Sequence, residues 1–321
     1  MVTGSLFDDP ESESSLFPRR LGESLVKLAS DQIYIGTSSW KYEGWLGQIY
    51  DRSNYLSRGR FSKKAFEAEC LREYARIFPT VCGDFAFYQF PSEDFWKRLF
   101  QRTPETFQFA FKIPEQITCR MFPSHPRYGA QGGLENPSYL DFYLLQEAFL
   151  RLLEPYQERI SVLILEFGAF ANVGVTEFVE RLDPFLGMLP RRFRYAVEVR
   201  NEELLAPEYF ACLRNHGVAH VLSAWARMPE LGEQLAIPEA ITADFLVSRA
   251  LLRRGRKYED AVRQFSPYTG IQDPNPAARA ALREIIEQAR ETRRKAYIYV
   301  NNRLEGNAPS TIMAIVGEDS S

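Results

Sequence analysis

Histidine is scarce in this chain. Only His125, His216 and His220 occur among 321 residues, and a three-histidine zinc centre would need all of them in one place. His216 precedes Gly217 at a predicted helix end and His125 stands in a Pro-Ser-His-Pro loop, so no metal site and no cofactor is expected. The one alternative is an oxygen-ligand set of Asp84, Glu166 and Glu198 for magnesium or manganese. Cysteine is equally sparse: Cys70, Cys82, Cys119 and Cys212 are scattered with no C-x-x-C pair. That pattern excludes a zinc ribbon or a dithiol redox motif and fits reduced thiols in the cytosol. No run of about 18 apolar residues exists, and the N-terminus lacks the basic, apolar and small-residue order of a secretory signal. Neither membrane insertion nor export is expected, and the location is read as cytoplasmic. Positive charge is not in excess, since 39 Lys and Arg face 42 Asp and Glu for a formal net charge of -3. Nucleic acid as a partner would therefore need a local basic patch, for which Arg249, Arg253, Arg254, Arg256 and Lys257 are the candidate stretch. No G-x-G-x-x-G or P-loop is present, and no Ser, His and Asp arrangement can be assembled.

What the chain does have is enough apolar residue, 45% against 25% charged, to bury a large core. Residues 1–30 stand apart, because Asp8, Asp9, Glu11, Glu13 and several serines make a polar stretch that reads as a disordered leader. Its triplets Ser5-Leu6-Phe7 and Ser15-Leu16-Phe17 resemble the Leu-Phe end of peptides that dock on bacterial sliding clamps, without the glutamine of such peptides. From Asp31 onward short β-branched or aromatic strands alternate with helical stretches. The strands are expected at Gln32 to Ser38, Thr80 to Tyr88, Phe107 to Ile113, Ile160 to Phe167, Phe193 to Arg200, Ala219 to Ala224, Phe245 to Arg249 and Ala296 to Asn302. Helices are expected at Ser62 to Phe78, Ser92 to Gln101, Tyr139 to Tyr156, Thr176 to Leu189, Pro207 to Asn215 and Pro276 to Arg294. This alternation over residues 31–321 predicts an α/β fold, a single (β/α)8 TIM-type barrel.

Strand parity then sorts the side chains. In the fifth strand Phe193, Tyr195, Val197 and Val199 form one apolar face, so Arg194, Ala196, Glu198 and Arg200 point into the barrel. In the third, Phe107, Phe109 and Phe111 face the helices and leave Gln108, Ala110 and Lys112 inside. The first strand places Tyr34, Gly36 and Ser38 inward with Trp40 just beyond. The second offers Cys82, Asp84 and Tyr88, and the seventh Arg249. The fourth and eighth end in Glu166 and in Asn301-Asn302-Arg303. The charged groups at the C-terminal ends of these strands are costly unless paired or used, and that face is where barrel enzymes keep their chemistry.

The same motifs carry a resemblance along nearly the whole chain after the leader. Ile35-Gly36-Thr37-Ser38-Ser39-Trp40 with Trp45, Phe78-Pro79-Thr80-Val81, Phe87-Tyr88-Gln89-Phe90-Pro91-Ser92, Glu198-Val199-Arg200-Asn201 and Tyr299-Val300-Asn301-Asn302 resemble the domain of unknown function 72 (YecE-like) family. The resemblance implies a TIM-type barrel and no assigned activity. Its barrels look broadly like those of xylose isomerases and apurinic endonucleases, an analogy of fold alone. The chain departs from the family pattern at Cys82, where an acid is usual, at Thr118-Cys119, where Thr-His is usual, and at Arg249-Ala250-Leu251-Leu252, where a histidine follows the arginine.

Two readings of the mouth follow. In the first, a hydrolase, lyase or isomerase acts on an anionic sugar-like or nucleotide-like molecule. Glu198 and Glu166 are then its acid and base, and Lys112, Arg200 and Arg249, aided by Asn301, Asn302, Trp40 and Tyr88, hold the ligand. In the second, the mouth binds a ligand or nucleic acid without catalysis. Against both stands the bland possibility that Glu198, Arg200, Lys112 and Arg249 pair with one another as a structural network. Trp40, Trp45, Tyr88 and Trp225 are candidate stacking surfaces, or else core. Cys82 is either a nucleophile or, as an inward strand cysteine, a small hydrophobe.

Overall fold

Alternating strands bury one face against helices and turn the other toward the barrel axis. The computed structural model of the chain describes residues 13–171 and 173–317. Within it β1 (Ile33–Thr37), β2 (Thr80–Gly83), β3 (Gln108–Lys112), β4 (Ile160–Glu166), β5 (Tyr195–Glu198), β6 (Ala219–Ala224), β7 (Phe245–Ala250) and β8 (Lys295–Val300) form one closed parallel barrel in sequence order. The predicted (β/α)8 architecture is thus observed. Parity holds as well: Cys82, Ala110, Ala196 and Val221 make a buried cluster inside the barrel with Tyr297 and Tyr299, whereas Ile33, Ile35, Phe109, Phe111 and Val197 belong to the larger core beneath the helices.

Closure depends on the seam between β1 and β2. β1 pairs with β8 from Ile33↔Ala296 to Thr37↔Val300 but with β2 only at Thr37↔Val81. A Cβ on Gly36 would stand 2.0 Å from the Thr80 carbonyl oxygen, so only glycine lets the two backbones approach. Tyr74 reinforces the seam from the helix layer: Thr37 N donates to its hydroxyl at 3.0 Å, and that hydroxyl donates to the Thr80 carbonyl at 3.0 Å. On β4 a register shift next to Ile160 brings Ser161 Oγ within 2.9 Å of the inward Tyr299 hydroxyl, as a bulge re-aims one side chain.

Most predicted helices recur within a few residues of their expected ends. Ser62 and Ser92 accept hydrogen bonds from Ala65 N and Phe95 N as N-caps of Lys63–Tyr74 and Glu93–Phe100. Gly217 closes Pro207–His216 in the left-handed region, φ 65°, where glycine carries no Cβ penalty. The indistinct connection after β6 is a short helix, Leu231–Leu235, with a Glu230/Glu233 capping box. A terminal helix, Ala308–Val316, is tied to the Pro276–Thr292 helix through the fully buried Glu305. Arg279 donates to both Glu305 oxygens at 2.9 to 3.2 Å, and Thr311 Oγ1 donates at 2.7 Å. None of the described helices is long and apolar enough to cross a membrane.

Two expectations are corrected and one alternative is decided. The second strand stops at Gly83, because Asp84 takes helical backbone angles (φ -87°, ψ -14°) and Phe85–Tyr88 forms a helical turn. Tyr88 is therefore carried outward, 58% exposed, instead of into the barrel. Trp45 is fully buried beside Tyr50 and is core, not a stacking surface. The leader, read as disordered over residues 1–30, is helical from Glu13 to Ser30. The reason is a stripe at Phe17, Leu21, Leu25 and Leu28, spaced to lie on one helix face, which packs on β1 and the terminal helix. Phe17 of the second Ser-Leu-Phe triplet thus lies against the core, and Ser5-Leu6-Phe7 falls outside the described residues.

Because Leu25 is fully buried in that stripe, Leu25→Ala should lower the unfolding free energy by about 2 to 5 kcal/mol, read from urea denaturation. A loss below about 1 kcal/mol would return the helix to a dispensable role.

Candidate active site

Two carboxylates end neighbouring strands in the same register. Glu166 on β4 is paired with Glu198 on β5, so their side chains project side by side from the C-terminal rim into the barrel. Like charges at such spacing repel strongly in a dry interior, and the sequence supplies cations on three sides. Lys112 ends β3, Arg200 follows β5 by two residues, and Arg249 comes across from β7.

The resulting contacts are dense. Glu166 Oε2 receives Arg249 Nη1 at 2.6 Å, Arg200 Nη2 at 3.1 Å and Lys112 Nζ at 3.3 Å. Glu198 Oε1 receives Arg200 Nη2 at 2.8 Å and the Ser223 hydroxyl at 2.5 Å, while its Oε2 receives Arg249 Nη1. Asp84, one residue past β2, adds a third carboxylate at 3.5 Å from Lys112 Nζ and 3.7 Å from Arg249 Nη2. Three cations therefore meet three carboxylates. Ser223 is itself held in place: its N–H donates to Gln234 Oε1 at 3.0 Å, and Gln234 Nε2 donates to its carbonyl at 2.9 Å. Aromatic rings cover two of the cations, with Lys112 Nζ 3.7 Å from the Phe87 ring centre and the Arg200 guanidinium 4.0 Å from that of Trp225, as cation–π contacts require.

Protonation follows this geometry. Burial alone would raise the Glu166 carboxyl, but Lys112, Arg200 and Arg249 outweigh it and hold the group well below the ordinary carboxylate range. Burial alone would discharge Arg249, and Glu198, Glu166 and Asp84 reverse this and fix its charge. Lys112 is likewise held charged, by Asp84 and Glu166 against burial. Cys82 lies deep inside, its thiol pushed up to about 12 by burial against the opposing pull of Arg249, which makes it a small hydrophobe and not a nucleophile. With every carboxylate facing lysine or arginine, a divalent cation at Asp84, Glu166 and Glu198 would meet three fixed positive charges, so the oxygen-ligand set does not fit a metal.

The remaining expected residues divide. Asn301 and Asn302 are buried and shape the turn after β8: Asn301 Oδ1 accepts from Arg303 N at 2.9 Å and Asn302 Oδ1 from Ala308 N at 2.7 Å. Asn302 Nδ2, Ser38 Oγ and Trp40 Nε1 are buried polar atoms with no hydrogen-bond partner among the described residues. Trp40 stands edge-on to Phe85, and Tyr88 leaves the cluster to stack under Arg127 at 4.6 Å. A cavity of about 620 Å³ opens beside Glu166, lined by Phe87, Thr118, Arg120, Met121 and Phe170. Sequence reasoning passed over Ser223, although parity in β6 places it with Ala219 and Val221 on the inward face. It gave no signal for Phe87, which the helical turn after Gly83 alone brings over Lys112.

Comparison with known proteins gives concordant results. A family model described as "Protein of unknown function DUF72" matches residues 34–318. The UPF0759 protein YecE of Escherichia coli (strain K12) is 30% identical over 179 residues, 56% of this chain and 50% of that protein, and the Escherichia coli O157:H7 protein matches to the same extent. The chain spans about half the length of these curated relatives. Two solved DUF72 family proteins share the fold. That of Thermotoga maritima MSB8 has a TM-score of 0.57 at 22% identity and covers 88% of this chain and 97% of its own. That of Enterococcus faecalis V583 has a TM-score of 0.57 at 18% identity and covers 90% and 97%.

Two measurements test the cluster. Glu198→Gln leaves Arg200 and Arg249 short of a buried counter-charge and should cost about 3 to 5 kcal/mol of stability; a loss under about 1 kcal/mol in urea would mean the cluster rearranges freely. Since Glu166 is depressed in the folded state, it stabilises the fold above the ordinary carboxylate range, and that contribution disappears as pH falls through its folded value. Denaturation midpoints should fall steeply below about pH 4, with a shallower slope for Glu166→Gln. An identical slope in the variant would remove Glu166 as the source.

Proposed function

The chain belongs to the DUF72 family, and we propose that it is an enzyme, a hydrolase, lyase or isomerase, that takes an anionic sugar-like or nucleotide-like molecule at the C-terminal mouth of the barrel. One observation carries the reading: Glu166 belongs to the buried ion cluster and also lines the 620 Å³ cavity. A ligand in that cavity meets an ionised carboxylate whose state is governed by the cations behind it.

The roles divide by burial. Glu198, fully buried with both oxygens engaged, serves as the fixed anion that orients Arg200 and Arg249, and the acid–base role falls to Glu166. Lys112 is the anion contact, because its hydrogen bonds to Glu166 are long, 3.3 and 3.4 Å, and its third neighbour Asp84 is partly exposed. A ligand phosphate or carboxylate that takes Lys112 relieves Glu166 of one cation, which raises its carboxyl toward the range useful for proton transfer. Phe87 and Phe170 offer faces for a ring. The free state of all four cysteines is in keeping with a cytoplasmic location.

The alternative, nucleic-acid binding through the basic stretch after β7, is less favoured. Arg253 and Arg256 are paired with Asp273, and Arg254 with Glu202 and Glu233.

Phosphate, sulfate and a panel of phosphorylated sugars and nucleotides should include a ligand that, at about 100 times its Kd, adds about 2.7 kcal/mol to stability. Lys112→Met should abolish that gain. Glu166→Gln should keep the binding and lose turnover. No selective stabilisation of the wild type by any of these anions overturns the reading.

A further inference from the structure

At the opposite end of the barrel, outside the site described above, three side chains of different ligand type converge between two neighbouring helices. Cys212 and His216 are four residues apart on the Pro207–His216 helix and so share one face. That face is turned to Asp183 of the Val175–Met188 helix. His216 Nε2 lies 2.9 Å and Cys212 Sγ 3.7 Å from the same oxygen, Asp183 Oδ1, and the three atoms all lie within 4.8 Å of one another. Tetrahedral zinc bound by nitrogen and oxygen at about 2.0 to 2.2 Å and by sulfur at about 2.3 Å spaces its ligand atoms by roughly 3 to 4 Å. We propose that Asp183, Cys212 and His216 form a binding site for a divalent transition-metal ion, best matched to zinc.

Ligand chemistry and burial agree with this. One thiolate, one imidazole and one carboxylate make a mixed donor set that suits zinc over magnesium or calcium, which take oxygen. Cys212 is buried, His216 side-chain exposure is 21% and that of Asp183 is 51%, so the site is walled on the thiol side and open on the carboxylate side. Three protein ligands would leave the fourth vertex to water. On binding, Cys212 gives its thiol proton to solvent, His216 keeps its ring proton on Nδ1, and thiolate and carboxylate together neutralise the dication. The site clips together two helices of the outer layer at the N-terminal end of the strands, the face where a barrel is stabilised and not where it reacts.

Cobalt(II) is the probe. Titrated into the full-length metal-free protein, it should give a thiolate charge-transfer band that saturates at one equivalent and is displaced by zinc. Cys212→Ser should remove the band, and His216→Ala should weaken binding by at least about tenfold, with circular dichroism confirming that both variants fold. Cys119→Ser, at the partly exposed cysteine, should leave the titration unchanged. No thiolate band in the wild type, or a band that survives Cys212→Ser, overturns the proposal and leaves Asp183 and His216 as an interhelical hydrogen bond.

Discussion

The mouth of this barrel is organised around one electrostatic constraint, the side-by-side emergence of Glu166 and Glu198 from adjacent strands in matched register. Two ionised carboxylates in a low-dielectric interior are tolerated only when paired and hydrogen-bonded. Arg200 and Arg249 satisfy both at once, since Arg200 Nη2 and Arg249 Nη1 each reach Glu166 and Glu198. The planar guanidinium fork suits this bridging. Lysine at either position would offer a point charge and leave one acceptor poorly served. Ser223, Gln234, Phe87 and Trp225 then appear as consequences, each fixing or covering a member of the cluster.

Charge balance changes what the mouth can do. A bare trio of cations would attract any anion, whereas cations already neutralised by carboxylates admit a ligand only by exchange. On the proposed reading such exchange couples binding to proton affinity: the anion that takes Lys112 is also what readies Glu166. The buried pairs beneath, with Glu198 at their centre, would stay in place, so that rigidity and reactivity reside in different carboxylates of one cluster. Glu305 and Arg279 repeat the buried-pair device where the terminal helix docks.

Much of the architecture was legible because strand periodicity is local. An alternation such as Phe193, Tyr195, Val197, Val199 declares its two faces without knowledge of any neighbour, and it placed Lys112, Glu198, Arg200 and Arg249 inside the barrel correctly. Helix periodicity was just as available in Phe17, Leu21, Leu25 and Leu28, but the acidic and serine-rich residues before that stripe masked it. Parity was misleading where a strand ended early. Asp84 turns the chain after Gly83, and Tyr88, counted as inward, is carried to the surface on a helical turn.

The sequence by itself determined the fold class, the strand and helix order and most of the inward set of polar residues. Those are properties of spacing and side-chain type along one segment. Only the tertiary structure decided which charges meet. Asp84, Lys112, Glu166, Glu198, Arg200 and Arg249 come from five different strands or strand ends, and their pairing depends on barrel closure and inter-strand register, which no single segment encodes. The same holds for Asp183, Cys212 and His216, whose approach is set by the packing of two helices. Sequence gave each group its chemistry, and the closed barrel set the distances on which that chemistry depends.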